Sequence, residues 1–189
     1  MGKLVVTEFI SLDGVVEDPG GAEGSANGGW TFKFDQGEGG MFKFQELQAS
    51  DAQLLGRVTY DGFSKAWPTM EGTGEFGVKM NAMPKFVVSS TLENPEWNNT
   101  TVLKGDLADE VGKLEQQFEG DILVAGSARL AQSLLALGLV DELRLMVFPI
   151  VLGGGKRLFA DGGEPTSFEL ADTKHTGDVA ILTLRRPAS

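Results

Sequence analysis

The stretch Gln53-Leu54-Leu55-Gly56-Arg57-Val58-Thr59-Tyr60 sets a short apolar run against a glycine, then an arginine, a threonine and the start of a helical pattern. A strand running directly into a helix is written this way. The first N–H groups of a helix lack partners within it, and the helix dipole is positive at that end, so the turn attracts anions. Arg57 adds a planar, permanently charged fork that matches a phosphate. Phosphate binding is the first functional reading of this turn.

Outward from it, apolar runs alternate with helical patterns, as in an α/β sheet whose parallel strands are joined by crossover helices. Strands are expected over residues 4–9, 52–55, 85–89, 101–104, 122–125, 142–151, 166–174 and 179–186. The last three follow one another without a helix, which predicts antiparallel pairing at one edge of a mixed, mostly parallel sheet. Helices are expected over residues 41–49, 58–66, 107–118 and 128–136. The third has Asp106 as N-cap, Leu107, Val111, Leu114 and Phe118 at helical spacing, and Gly120 beyond its end. Residues 18–29 and 71–77 are glycine-rich and read as loops, each either a mobile flap or plain surface.

Composition narrows the classes. A chain of 189 residues with 41% hydrophobic content suits one core, so residues 1–189 read as a single domain. A formal charge of -11 repels nucleic acid and anionic membrane surfaces, so a phosphate must be bound locally against that field. With no cysteine there is no disulfide, thiolate metal site or cysteine nucleophile, and a cytoplasmic setting is expected. Residues 1–7 lack the apolar core of a secretory signal, Val6 stands where a myristoylation motif needs Ser or Thr, and no apolar run has membrane-spanning length. No metal site is expected.

Two further strand ends carry similar chemistry. Asp121-Ile122-Leu123-Val124-Ala125-Gly126-Ser127-Ala128-Arg129-Leu130 is a second apolar strand that breaks at a glycine and opens a helix. Val88-Ser89-Ser90-Thr91 ends a third strand in three hydroxyls, able to bond a ribose, a phosphate or a base edge. Neither glycine turn has the three-glycine dinucleotide fingerprint or the Gly-Lys-Ser/Thr of a P-loop. Ligands of open α/β sheets sit outside the carboxyl ends of the strands, so three such ends make a candidate dinucleotide track.

Gly56-Arg57-Val58-Thr59, Ser89-Ser90-Thr91 and Gly126-Ser127-Ala128-Arg129-Leu130, in that order, resemble the dihydrofolate-reductase-like fold, in the branch that includes the reductase domain of bacterial riboflavin biosynthesis. Ser11-Leu12-Asp13-Gly14 resembles that branch's segment after the first strand, and Phe148-Pro149-Ile150-Val151-Leu152-Gly153-Gly154-Gly155 its late Pro-x-x-Leu-Gly-Gly segment. The resemblance implies a three-layer sheet with helices on both faces, and NADPH as cofactor. Gly56 would admit the ligand to the backbone, Arg57 would pair with the 2′-phosphate, and Val58 and Thr59 would hold the pyrophosphate at the helix start. Ser89, Ser90 and Thr91 would line the adenosine side, and Ala125, Gly126, Ser127, Ala128, Arg129 and Leu130 would wrap the pyrophosphate and nicotinamide ribose. The family often carries two glycines joined by a cis peptide at this last turn; here the pair is Gly126-Ser127.

The implied activity is hydride transfer to a small heterocycle, pyrimidine-like as in riboflavin biosynthesis or pterin-like; a catalytically silent NADPH sensor is the alternative. A homodimer is also implied, for which the apolar run at residues 143–152 is either interface or core. Asp13 is the candidate catalytic acid, or else half of an Asp-Gly turn, and Ser11, Leu12, Trp30, Gly153 and Gly154 are candidate substrate contacts. Dihydrofolate reductases place a carboxylate on the first helix, but none stands at the expected place near Gly40. Glu38, Glu46 and Asp51 are read as a solvated helix surface, and His175, on a late strand without triad partners, as structural or exposed.

Overall fold

The structure is a computed structural model and describes residues 1–187. Eight strands form one sheet in the order β4-β3-β2-β5-β1-β6-β8-β7. They are β1 (Lys3–Ser11), β2 (Ser50–Gly56), β3 (Lys85–Val88), β4 (Thr100–Leu103), β5 (Asp121–Ala125), β6 (Glu142–Phe148), β7 (Glu169–Thr176) and β8 (Val179–Arg185). The first six pair in parallel, while β8 runs antiparallel to β6 and to β7. This is the expected mixed sheet. The sixth strand stops at Phe148 because the next residue is Pro149, which has no N–H to donate to a ladder.

Among the described residues five α-helices cover the sheet: α1 (Gly39–Ala49), α2 (Arg57–Ala66), α3 (Gly74–Ala82), α4 (Leu107–Gln117) and α5 (Ala128–Ala136). Alternation along the strands divides the core. Leu4, Val6, Leu54 and Val124 point to one face, against Val111 and Leu114 of α4 and Leu130, Ala131 and Leu134 of α5. Val5, Leu55, Val87 and Leu123 point to the other, against Leu47 of α1, Tyr60 of α2 and Met80 of α3. The central strands β1, β2, β3 and β5 are apolar on both sides because they are covered on both sides, whereas β7 at the edge is exposed.

Several expectations change. Residues 71–77 are not all loop, since α3 starts at Gly74 and carries Phe76 and Met80 into the core, where packing outweighs the weak helix propensity of glycine. Gly77 is itself required, because a Cβ there would collide with the Thr73 hydroxyl. Most of the 143–152 run is core rather than free surface, as Leu143, Leu145, Met146 and Phe148 are buried in the single chain. Residues 18–29 are irregular but not loose: the buried Asp18 carboxylate accepts from the Glu23 and Ser25 amides, both at 2.9 Å, and its carbonyl accepts from Gly21 and Gly29. Burial opposes the Asp18 charge, yet those amides hold its carboxyl below the ordinary value.

Candidate active site

Because β2 lies between β3 and β5, the ends of these three parallel strands are neighbours, and the three polar turns meet at one edge of the sheet. The Gly56 N–H donates to Ser127 Oγ at 2.9 Å, lacing the first turn to the last. A Cβ on Gly56 would lie 3.3 Å from Ser127 Cβ, and one on Gly126 3.1 Å from Thr59 Oγ1. Each glycine lies against a side chain of the other turn, with little room for a Cβ. Gly126 and Ser127 both adopt left-handed conformations, φ 62° and 63°, and only glycine takes that region without strain. The step from left-handed Ser127 into right-handed α5 is of the kind that aims consecutive N–H groups into a concavity suited to an anion.

No side chain caps the start of α2 or of α5, so their first amides are unspent. Arg57 Nε is held by both Asp61 oxygens at 2.9 Å, while Nη1 reaches Thr91 Oγ1 at 3.4 Å across the neighbouring turn. Ser89 Oγ accepts from the amides of Thr91 and Leu92, fixing that turn. Ser90 and Val58 are exposed beside it. Arg129 is exposed and Leu130 is packed in the core, so Leu130 is available to this edge only through its backbone. These residues fit a phosphate-bearing dinucleotide laid along the edge: a cradle that added side-chain carbon would fill, open helix amides and one arginine.

The candidate substrate side divides differently. Asp13 accepts from Ser11 Oγ at 2.6 Å and from the Leu152 and Gly153 amides at 3.0 and 2.8 Å. The Ser11 hydroxyl and these two amides hold its carboxyl down at about 2. An acid so engaged is a clamp between the 11–14 and 152–153 turns, not a proton donor near neutral pH, and this revises the catalytic role expected of it. Ser11 is buried and Leu12 exposed. Trp30, expected as a substrate contact, is 0% exposed: its indole N–H donates to the Glu17 carbonyl, and its ring packs edge-on against Phe148. Leu152 and Gly154 line a cavity of about 260 Å³ with Val15, Glu17, Ser25 and Asn27, and Gly153 sits beside it without lining it. A larger recess beside Pro84, Trp97 and Thr100 lies at the opposite ends of the strands, away from the three turns.

The first helix does present an acid. Glu46, read from sequence as solvated, is buried against the middle of β1, where Oε2 accepts from Thr7 Oγ1 at 2.9 Å and Lys43 Nζ at 2.8 Å. Lys43 also bonds Thr7 and lies 5.3 Å from the Phe9 ring centre. Arg144 approaches Glu46 through Nη1 at 3.7 Å and pairs with Asp121 through Nη2 at 2.7 Å and with Glu142 through Nε at 2.6 Å. The signal that could have found this group is Thr7 and Glu8, two polar residues inside an otherwise apolar strand. His175 is on β7 and exposed, as expected.

With this geometry in place, residues 2–182 match the family profile described as RibD C-terminal domain. The chain belongs to that family. The protein YyaP of Bacillus subtilis, itself uncharacterized, is 29% identical over 175 residues, 91% of this chain and 88% of YyaP. Among solved structures, a putative riboflavin biosynthesis protein from Shewanella sp. PV-4 superposes with a TM-score of 0.76 at 22% identity, covering 98% of this chain and 99% of that one. Dihydrofolate reductase from Enterococcus faecalis, complexed with NADP(H) and RAB-propyl, superposes with a TM-score of 0.59 at 16% identity, covering 99% and 98%. The fold is dihydrofolate-reductase-like, and the domain is a reductase of the riboflavin-biosynthesis type. Among the described residues no helix is long and apolar enough to cross a membrane.

Proposed function

We propose that this domain is an NADPH-dependent reductase of a small planar heterocycle, pyrimidine-like or pterin-like. The observation that carries it is the meeting of the Gly56–Thr59, Ser89–Thr91 and Gly126–Ser127 turns at one sheet edge, with two helix starts left open. NADPH, when bound, supplies the hydride, so the protein's task is to fix two rings together and manage a proton. In this proposal Arg57 and Thr91 hold the 2′-phosphate, and the amides opening α2 and α5 hold the pyrophosphate. Phe9 and the partly buried Phe42 offer a flat apolar surface, and Lys43 with Glu46 offers a charged pair beside it that can bond the polar edge of a heterocycle. A homodimer and a cytoplasmic setting belong to the same proposal, and the mass of the protein in solution tests the first.

Calorimetric titration with NADPH and NADH is the direct test. The wild type is expected to prefer NADPH, and Arg57→Ala to lose roughly 10- to 100-fold of that preference, since a charge-assisted phosphate contact is worth about 1.5 to 3 kcal/mol. Equal wild-type affinity for both nucleotides would remove Arg57 from its role. NADPH oxidation across a panel of pterins and pyrimidines then identifies the substrate class, and tight binding without turnover on any of them favours a sensor.

A further inference from the structure

The chain leaves β1 through α1 toward β2, on one side of the β5–β1 pair, and leaves β5 through α5 toward β6, on the other. Crossovers of one hand running in opposite directions must cover opposite faces, as α1 and α5 do here. The sheet therefore has its switch point between β5 and β1, where α/β sheets open a ligand crevice. Ladder pairing agrees: β1 and β5 stay in register only to Thr7 and Ala125, while β1 continues beside β6 to Ser11. The next residues on the two parting strands are Glu8 and Gly126.

Glu8 is a carboxyl where apolar residues are the rule. It is 4% exposed, and its Oε1 has no hydrogen-bond partner among the described residues. The groups facing it are Lys43 and Glu46 from α1, Glu23 from the 18–29 loop, and the Gly126 amide at the head of α5. Burial prevails: it lifts the Glu8 carboxyl to about 8, with Glu23 and Glu46 adding to the rise and Lys43 and the Gly126 N–H opposing it. Near neutral pH the group is an uncharged acid close to its point of ionisation.

From Arg57 and Thr91 to the Gly126 turn, the proposed dinucleotide track crosses from β3 to β5, and one more strand brings it to β1. The β3-to-β1 span is three strand spacings, roughly 14 Å, so the end remote from the 2′-phosphate falls at the Glu8 opening. That end is the nicotinamide, the one part of the cofactor whose charge changes, neutral when reduced and cationic when oxidised. We propose that Glu8 is a charge-matching residue for the nicotinamide ring, uncharged against the reduced ring and ionised against the oxidised one. The inference rests on the NADPH reading above and adds to it a residue that sets the balance between the two cofactor states. The proton given up by Glu8 when the oxidised form binds passes to solvent, so oxidised cofactor binds more tightly as pH rises.

The test needs no substrate. Calorimetric dissociation constants for NADP+ and NADPH are measured between about pH 6 and 9.5 in the wild type, Glu8→Gln and Glu23→Gln. Both nucleotides carry the same phosphates, so phosphate titration cancels in the ratio and only the ring remains. The ratio is expected to shift toward NADP+ by about tenfold as pH passes through 8 in the wild type and at a lower pH in Glu23→Gln, with proton release to the buffer, and to stay flat in Glu8→Gln. A flat wild-type ratio, or an equal shift in Glu8→Gln, overturns the inference. The wild-type arm decides even if the variant folds poorly. Failure of both nucleotides to bind at any pH strikes instead at the NADPH reading.

Discussion

Helices α4 and α5 both begin at the same edge of the sheet, each directly after a strand, and each has a carboxyl beside its start. At α4 the acid is Asp106, exposed, whose Oδ1 accepts from the Ala108 and Asp109 amides at 3.0 and 3.2 Å. At α5 it is Glu8, buried, protonated near neutral pH and contributed by another strand, while Ser127 in the cap position turns its hydroxyl to Gly56. The first helix satisfies its own amides and is finished. The second leaves them open and keeps the nearest acid uncharged, which is the arrangement an incoming anion requires. A capped start stabilises the fold, and an open one holds binding capacity at some cost to stability.

The largest expected effect concerns the two acids. Glu8 keeps a proton in the folded chain up to about 8, while its ordinary value is 4.5. The folded state thus binds more protons than the unfolded one between those values, and stability falls as pH rises through that window, then levels off. Glu8→Gln should remove the decline. Denaturant unfolding should show the variant gaining on the wild type by on the order of 3 kcal/mol between pH 4 and 7, and parallel curves would contradict the protonated state of Glu8.

Next comes the open turn itself. Gly126→Val puts a branched side chain at φ 62° and against Thr59, and NADPH affinity should drop about 100-fold, roughly 2.7 kcal/mol, by calorimetry. Unchanged affinity would mean that the cradle is not the pyrophosphate site. Ser127→Asp makes α5 resemble α4 by placing a carboxylate at its start. Aspartate tolerates the left-handed conformation, so the fold should hold while NADPH binds about tenfold more weakly. The smallest effect is at the finished helix: Asp106→Ala should lower stability by about 1 kcal/mol and leave NADPH affinity unchanged, a contrast that a thermal melt and one titration together resolve.

The three turns were legible because each is local. In two of them a glycine after an apolar run specifies a strand end and a helix start, and in the third a run of three hydroxyls marks the strand end, all within about ten residues. The antiparallel finish was legible for the same reason, as three strand patterns without an intervening helix. Helix α3 was hidden by its glycines, since its stability comes from Phe76 and Met80 packed against distant residues. Trp30 and Asp13 were misassigned for a shared reason: both lie next to the site in sequence, but one is packed under Phe148 and the other is consumed by the 152–153 amides. Glu46 and Glu8 were passed over because a carboxylate on a helix or strand carries no local sign of what covers it.

By itself the sequence determined the α/β alternation, the parallel core with its antiparallel edge, the three anion-ready turns and their order along the chain, all of them consequences of short-range periodicity and backbone chemistry. Tertiary structure alone decided which strand ends became neighbours, that β1 and β5 part after Thr7 and Ala125, and that one acid of β1 lies buried at the opening. The division has a physical cause. A turn's preference for an anion is set by its own amides, whereas the charge of a carboxyl depends on the solvent it loses and the groups it meets, and those are brought to it by the whole fold.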